Sequence, residues 1–195
     1  DAKLETATNG ATPLMYHLRF AFNVAFRVNP SFHARVVAPH LANLGPRFAA
    51  SHIRTGHFET GVRRKSDLSD DVRSVRACIR DVNAPKWLLL TDDAALAVRL
   101  SNETYTTVDA SFTLAKMHVG NGDKRASREA WEGTLRDWLL LVHAPGPVFL
   151  RSRMPSAFSF GERGALIGSK RCKRPRPNTP AACANGYFDQ VCERT

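Results

Sequence analysis

Four short runs of strand character, most of them apolar, each bounded by turn residues and separated from the next by a stretch of helical periodicity, constrain this chain more than any other feature. They are Arg47–Ile53 (RFAASHI), Lys86–Leu90 (KWLLL), Tyr105–Val108 (YTTV) and Pro147–Leu150 (PVFL). A strand covered on both faces has no reason to alternate apolar with polar residues, so buried parallel strands read as continuous apolar runs. The intervening segments predict helices. Pro30–Leu44 carries Phe32, Val36, Val37, His40, Leu41 and Leu44 on one side, with Asn29 as its cap and Gly45-Pro46 as its stop. Asp67–Val82, Ala94–Asn102, Ser127–Val142 and Ser156–Ile167 continue the series. Strands alternating with helices at these intervals predict an α/β fold, a Rossmann-like parallel sheet flanked by helices. In such sheets ligands bind beyond the carboxyl ends of the strands, where loops meet helix N-termini.

The chain has 195 residues, the size of one ordinary domain, and its 43% hydrophobic and 24% charged residues are those of a globular protein. No apolar run reaches the roughly 18 residues that a membrane span needs. Residues 1–13 read as a disordered or excised leader, residues 14–168 as the α/β domain, and residues 169–195 as a basic tail containing Pro and Cys. The net charge of +10 favours anionic partners. Much of it is local, in Arg63, Arg64 and Lys65 and in Lys170, Arg171, Lys173, Arg174 and Arg176. A solvated surface explains both clusters without a ligand.

Cys78 stands alone in a helical stretch and reads as a buried small hydrophobe. Cys172, Cys183 and Cys192 crowd the tail, where a short disulfide loop that leaves one thiol over is expected. That pattern suggests an oxidising compartment, as does the sequon Asn102-Glu103-Thr104. No C-x-x-C pair or neighbouring His gives these cysteines the spacing of a zinc site.

Three strand ends carry groups with a chemistry to offer. After the first strand comes His52-Ile53-Arg54-Thr55-Gly56, in which His52 and Arg54 alternate with Ile53 and share one side of the strand. Arginine presents a planar fork of donors that matches phosphate oxygens, although a structural ion pair accounts for such a triplet equally well. The second strand runs straight into Thr91-Asp92-Asp93, where one carboxylate is expected to cap the following helix. The third region spans Asp137, in a helix, the strand Val148-Phe149-Leu150, and Arg151-Ser152-Arg153-Met154-Pro155-Ser156. A Ser-rich loop entering a helix offers backbone N–H groups and a positive dipole end to an anion. Neither a P-loop nor a G-x-G-x-x-G pattern occurs.

Taken in order, His52-Ile53-Arg54-Thr55, Thr91-Asp92-Asp93 and the Asp137–Ser156 region resemble the three motifs of the α-1,6-fucosyltransferase and nodulation-factor fucosyltransferase superfamily. The resemblance covers roughly residues 20–168. It implies the nucleotide-sugar-binding half of a GT-B-type fold, and transfer of fucose from GDP-fucose to a glycan or glycoprotein acceptor with inversion. It also implies individual roles. Arg54 would bind the β-phosphate and stabilise the departing GDP, His52 and Asp137 would contact the guanine, and Ser152 and Ser156 would hold phosphate oxygens. Thr91, Asp92 and Asp93 would form the second motif. Neither a metal nor any cofactor beyond the GDP-sugar is required, and no DxD motif is seen. The location implied is the Golgi lumen or the exterior. An inverting transferase also needs a base for the acceptor hydroxyl, and the sequence assigns none.

The sequence departs from the related pattern at His57, which follows Gly56 where an acid or Lys is common. A two-domain enzyme also needs an acceptor-side domain, supplied by another part of the protein or a partner chain. The alternative is a non-catalytic binding module of the same fold whose basic tail clamps an acidic polymer. Nucleic-acid binding would fit the charge, but no RRM, KH, helix-turn-helix or zinc-finger signature is visible.

Overall fold

The computed structural model describes residues 28–54, 68–107, 128–152, 165, 170–173, 183 and 187–194. The expected leader, Ser156 and nearly all of the helix expected over Ser156–Ile167 lie outside the described residues.

The first helix, α1, begins as Pro30–Phe32, passes through a π-helical turn at His33–Val37 and continues as Ala38–Leu44. Asn29 caps it as expected, its Oδ1 accepting from the N–H groups of Ser31 (2.9 Å) and Phe32 (3.2 Å). The π turn, which the periodicity did not announce, has a cause in Pro39. A proline inside a helix has no N–H to donate and crowds the carbonyl four residues back. Widening the preceding turn, so that the Ala38 N–H reaches His33 O, lets the helix pass this point. Gly45 then ends α1 at φ 75°, its N–H bonded to Leu41 O at 2.9 Å.

Strand β1 (Ala49–Arg54) leads to α2 (Leu68–Val82), β2 (Trp87–Thr91), α3 (Ala94–Arg99) and β3 (Tyr105–Thr106). Helix α4 (Arg128–His143) precedes β4 (Val148–Ser152), and β5 (Lys170–Lys173) and β6 (Gln190–Arg194) complete the sheet. The six strands lie in the order β3-β2-β1-β4-β6-β5. Strands β1 to β4 are parallel, while β6 pairs antiparallel with β4 and β5 antiparallel with β6. This is a Rossmann-like sheet with an antiparallel edge.

Strand alternation divides the core into two layers. Ala50, Leu88, Leu90, Val148 and Leu150 pack with Val37 and Leu44 of α1 and Leu139–Leu141 of α4. On the other face Ala49, Ile53, Leu89 and Phe149 pack with Val72, Val75 and Cys78 of α2 and Leu96 of α3. Trp87 stacks on Phe149 there, with centroids 5.3 Å apart, and its indole N–H donates to the buried Ser51 hydroxyl at 3.0 Å. Arg35 and Glu132 join α1 to α4 by two hydrogen bonds of 3.0 and 2.9 Å, and bonds from Arg35 and Arg128 hold the Glu132 carboxyl down at about 2. Gly146 must be glycine. A Cβ there would stand 2.6 Å from Phe48 O, the atom its own N–H bonds at 3.1 Å.

The segment read as a basic tail supplies two strands and three of the four disulfide-bonded cysteines. Cys172 and Cys192, directly opposite each other in β5 and β6, form one disulfide. Cys183 closes the second with Cys78 of α2, so Cys78 is not an inert thiol and no thiol is left over among the four. Sequence spacing favoured the nearby cysteines, whereas the fold brings α2 against a segment 105 residues away. Two disulfides mark a chain that matures in an oxidising compartment, the secretory lumen or the exterior. Among the described residues no helix is long and apolar enough to cross a membrane.

Candidate functional site at the sheet's switch point

From β1 the chain winds outward through β2 to β3, then returns through α4 to place β4 on the other side of β1. The crossovers on either side of β1 therefore run over opposite faces, which makes the carboxyl ends of β1 and β4 the switch point at which open sheets of this kind bind ligands. The register fixes which residues border it. His52 pairs with Leu150, Ile53 with Arg151 and Arg54 with Ser152. The guanidinium-bearing residue of the first motif and the first serine of the third thus occupy adjacent strand-end positions.

His52 and Arg54 alternate with Ile53, which belongs to the α2 layer, so both side chains belong to the face that α1 and α4 cover. Burial pushes the His52 imidazole down to about 4; the Asp92 carboxylate opposes the shift and Arg54 reinforces it. His52 is therefore neutral at physiological pH, and adds no second cation to Arg54.

The two carboxylates of the second motif divide their work. Asp93 caps α3, its Oδ1 accepting from Ala95 N (2.9 Å) and Leu96 N (3.1 Å), and its own N–H donates to the Thr91 hydroxyl at 3.1 Å. Capping was the expectation for one of the pair, and it falls to Asp93. Asp92 instead lies close enough to act on His52.

Asp137 lies on α4, over the same sheet face, and belongs to a different group. Burial raises its carboxyl, against hydrogen bonds from Arg136 (Nε to Oδ1, 2.9 Å) and Thr107 that pull it down. His40 of α1 lies near enough to feel the Arg136 charge, and its Nδ1 is in hydrogen-bond contact with the Tyr105 hydroxyl of β3 at 2.6 Å. Burial and the Arg136 charge lower the His40 pKa. The expected set therefore resolves into two groups on one face: His52, Arg54 and Asp92 with the Ser152 backbone, and Asp137 with Arg136 and Thr107. Ser156 lies outside the described residues.

Sequence reasoning missed Thr107, Arg136, His40 and Tyr105. The rule that polar residues following a strand are candidates would have selected Thr107. Nothing local announces His40 and Tyr105, which are 65 residues apart.

Arg151, by contrast, serves the structure. Its guanidinium lies 3.7 Å from the Tyr187 ring centroid and donates to Tyr187 O at 2.7 Å. It also stands 3.7 Å from Asp71, a carboxylate with 2% of its side chain exposed. The contacts tie the end of β4 to the start of α2 and to the segment entering β6. Among the described residues no three His, Cys, Asp or Glu side chains converge as a metal site. No protein-family model matches the chain, and no curated protein matches it in sequence.

Proposed function

We propose that the chain is the donor-binding half of a fucosyltransferase-like glycosyltransferase, taking GDP-fucose or a related nucleotide sugar and acting in the Golgi lumen. The observation that carries the reading is the pairing of Arg54 with Ser152 at the switch point, on the face that also carries His52 and Asp137. A diphosphate at this switch point would meet the Arg54 fork and the backbone at the end of β4. As the bond between sugar and phosphate breaks, negative charge builds on the departing GDP, and a fixed guanidinium stabilises that charge without rearranging. A neutral His52 leaves the Arg54 charge for the phosphate and can bond the guanine. The Asp137 carboxylate, held in a partly desolvated setting, gains most from two convergent donors, such as N1–H and the 2-amino group of guanine. A glycan or glycoprotein hydroxyl is the acceptor, and its base comes from the acceptor-side domain or a partner chain.

Calorimetric titration with GDP, ADP and UDP tests the reading. Binding selective for GDP is expected. A folded protein that takes up none of the three, or all three alike, would sink it and leave an interaction module of the same fold.

A further inference from the structure

On the sheet face opposite His52 and Arg54, α2 and α3 enclose a cleft of about 330 Å³ that the donor reading does not use. Arg73, Arg76, Arg80 and Arg99 line it, with Leu68 and Val72 contributing its apolar surface. Three of the arginines sit at helical spacing along α2, and Arg99 closes the last turn of α3. The volume lies at the low end of the range for small-ligand pockets.

The carboxylates at hand do not neutralise this cluster. Asp70 pairs with Arg73 within α2, and the two Glu103 carboxylate oxygens accept from Arg76 Nε at 2.7 and 2.8 Å. Arg76 is positioned further by donating to Arg99 O at 3.2 Å. Arg80 and Arg99 have no ion pair among the described residues, so four guanidiniums face two carboxylates. Like charges are ordinarily spread over a surface, because bringing them together costs free energy unless an anion joins them.

We propose that this cleft binds a sulfated sugar unit of an acidic glycan, with Arg80 and Arg99 as its principal contacts. Guanidinium forks match the paired oxygens of a sulfate ester. Two disulfides put the protein in a compartment where polyanions are glycans rather than nucleic acids. The lining contains no aromatic ring, which a single-stranded nucleic acid would need for stacking. The apolar surface of Leu68 and Val72 suits the C–H face of a sugar ring. The inference does not depend on the donor reading, since the cleft and the switch-point residues His52 and Arg54 lie on opposite faces of the sheet.

The test is calorimetric binding of a heparin-derived hexasaccharide to wild type, to the double variant Arg80→Ala with Arg99→Ala, and to a tail variant, Lys173→Ala with Arg174→Ala. Inorganic sulfate, a hyaluronan hexasaccharide and a single-stranded DNA oligomer of matched length serve as comparison ligands. The arginine variant is expected to bind the heparin hexasaccharide about tenfold or more weakly, with the slope of log K against log salt reduced by about two. The tail variant should bind as wild type does, and the comparison ligands should bind wild type far more weakly. Circular dichroism and an unchanged urea-unfolding midpoint would show that the arginine variant is intact. Undiminished binding by the arginine variant, or loss of binding in the tail variant, would overturn the proposal. So would sulfate, hyaluronan or DNA binding as tightly as the heparin hexasaccharide.

Discussion

Arg54 and Ser152 face each other across the last register position of the β1–β4 pair, although 98 residues separate them in sequence. Their adjacency follows from the reversal of winding at β1, and it brings two strand ends side by side at the switch point. From it and the groups around it come several expected outcomes.

His52 makes stability depend on acid. Its folded-state pKa, about 4, is below the ordinary imidazole value, so in the window between them the unfolded chain binds more protons than the folded one. The stability associated with a neutral His52 is therefore complete above that window and is lost as pH falls through it. Urea unfolding at about pH 7.5 and about pH 4.5 should differ by an extra ~2 kcal/mol in wild type relative to His52→Gln. Equal pH dependence in the two proteins would contradict the burial assigned to this ring.

Asp137 should behave in the opposite sense. Its folded-state pKa is raised, so the folded state retains the proton longer and stability declines as pH rises above the ordinary aspartate range. Asp137→Asn removes that penalty, and the variant should unfold at the same or a higher urea concentration at neutral pH. Guanine preference over adenine should nevertheless fall about tenfold, because an amide cannot accept both base donors. A variant that keeps its guanine preference would remove Asp137 from the donor site.

The two disulfides should differ in worth. In the chain-entropy account a bridge closing a longer loop restrains the unfolded state more. Removing Cys78–Cys183, with a separation of 105 residues, should cost about 4–5 kcal/mol. Removing Cys172–Cys192, with a separation of 20, should cost about 3 kcal/mol. Paired alanine variants compared by denaturant unfolding would reveal the order.

Gly146 offers a check on the packing at the amino ends of β1 and β4. Gly146→Ala drives a methyl against Phe48 O, backbone that a rotamer change cannot move. A loss on the order of 2 kcal/mol is expected, read as a lower thermal midpoint. An unchanged midpoint would mean that the start of β1 yields easily.

Local chemistry was legible in the sequence and long-range pairing was not. Asn29, Gly45 and Asp93 announce helix ends because caps and stops depend on a few consecutive residues. WLLL and VFL announce buried strands because both faces of each are covered. The tail strand Lys170–Lys173 gives no such signal. It is the sheet's edge, where charged residues discourage pairing with another chain and erase the apolar pattern. Pro39 lies inside the helix expected over Pro30–Leu44, and the π turn that accommodates it depends on backbone geometry that periodicity does not carry. At the site, alternation around Ile53 correctly put His52 and Arg54 on one face. The pairing of Arg54 with Ser152, the action of Asp92 on His52 and the group around Asp137 all depend on sheet order and register, which no single segment encodes.

The central claim is that Arg54 holds the terminal phosphate of a nucleotide diphosphate, and the most direct measurement compares GDP with GMP on wild type and Arg54→Ala. Wild type should bind GDP at least about tenfold more tightly than GMP, and the variant should bind the two nearly alike. A variant that preserves the full preference for GDP would contradict the account, because the terminal phosphate would then be held somewhere other than the β1–β4 switch point.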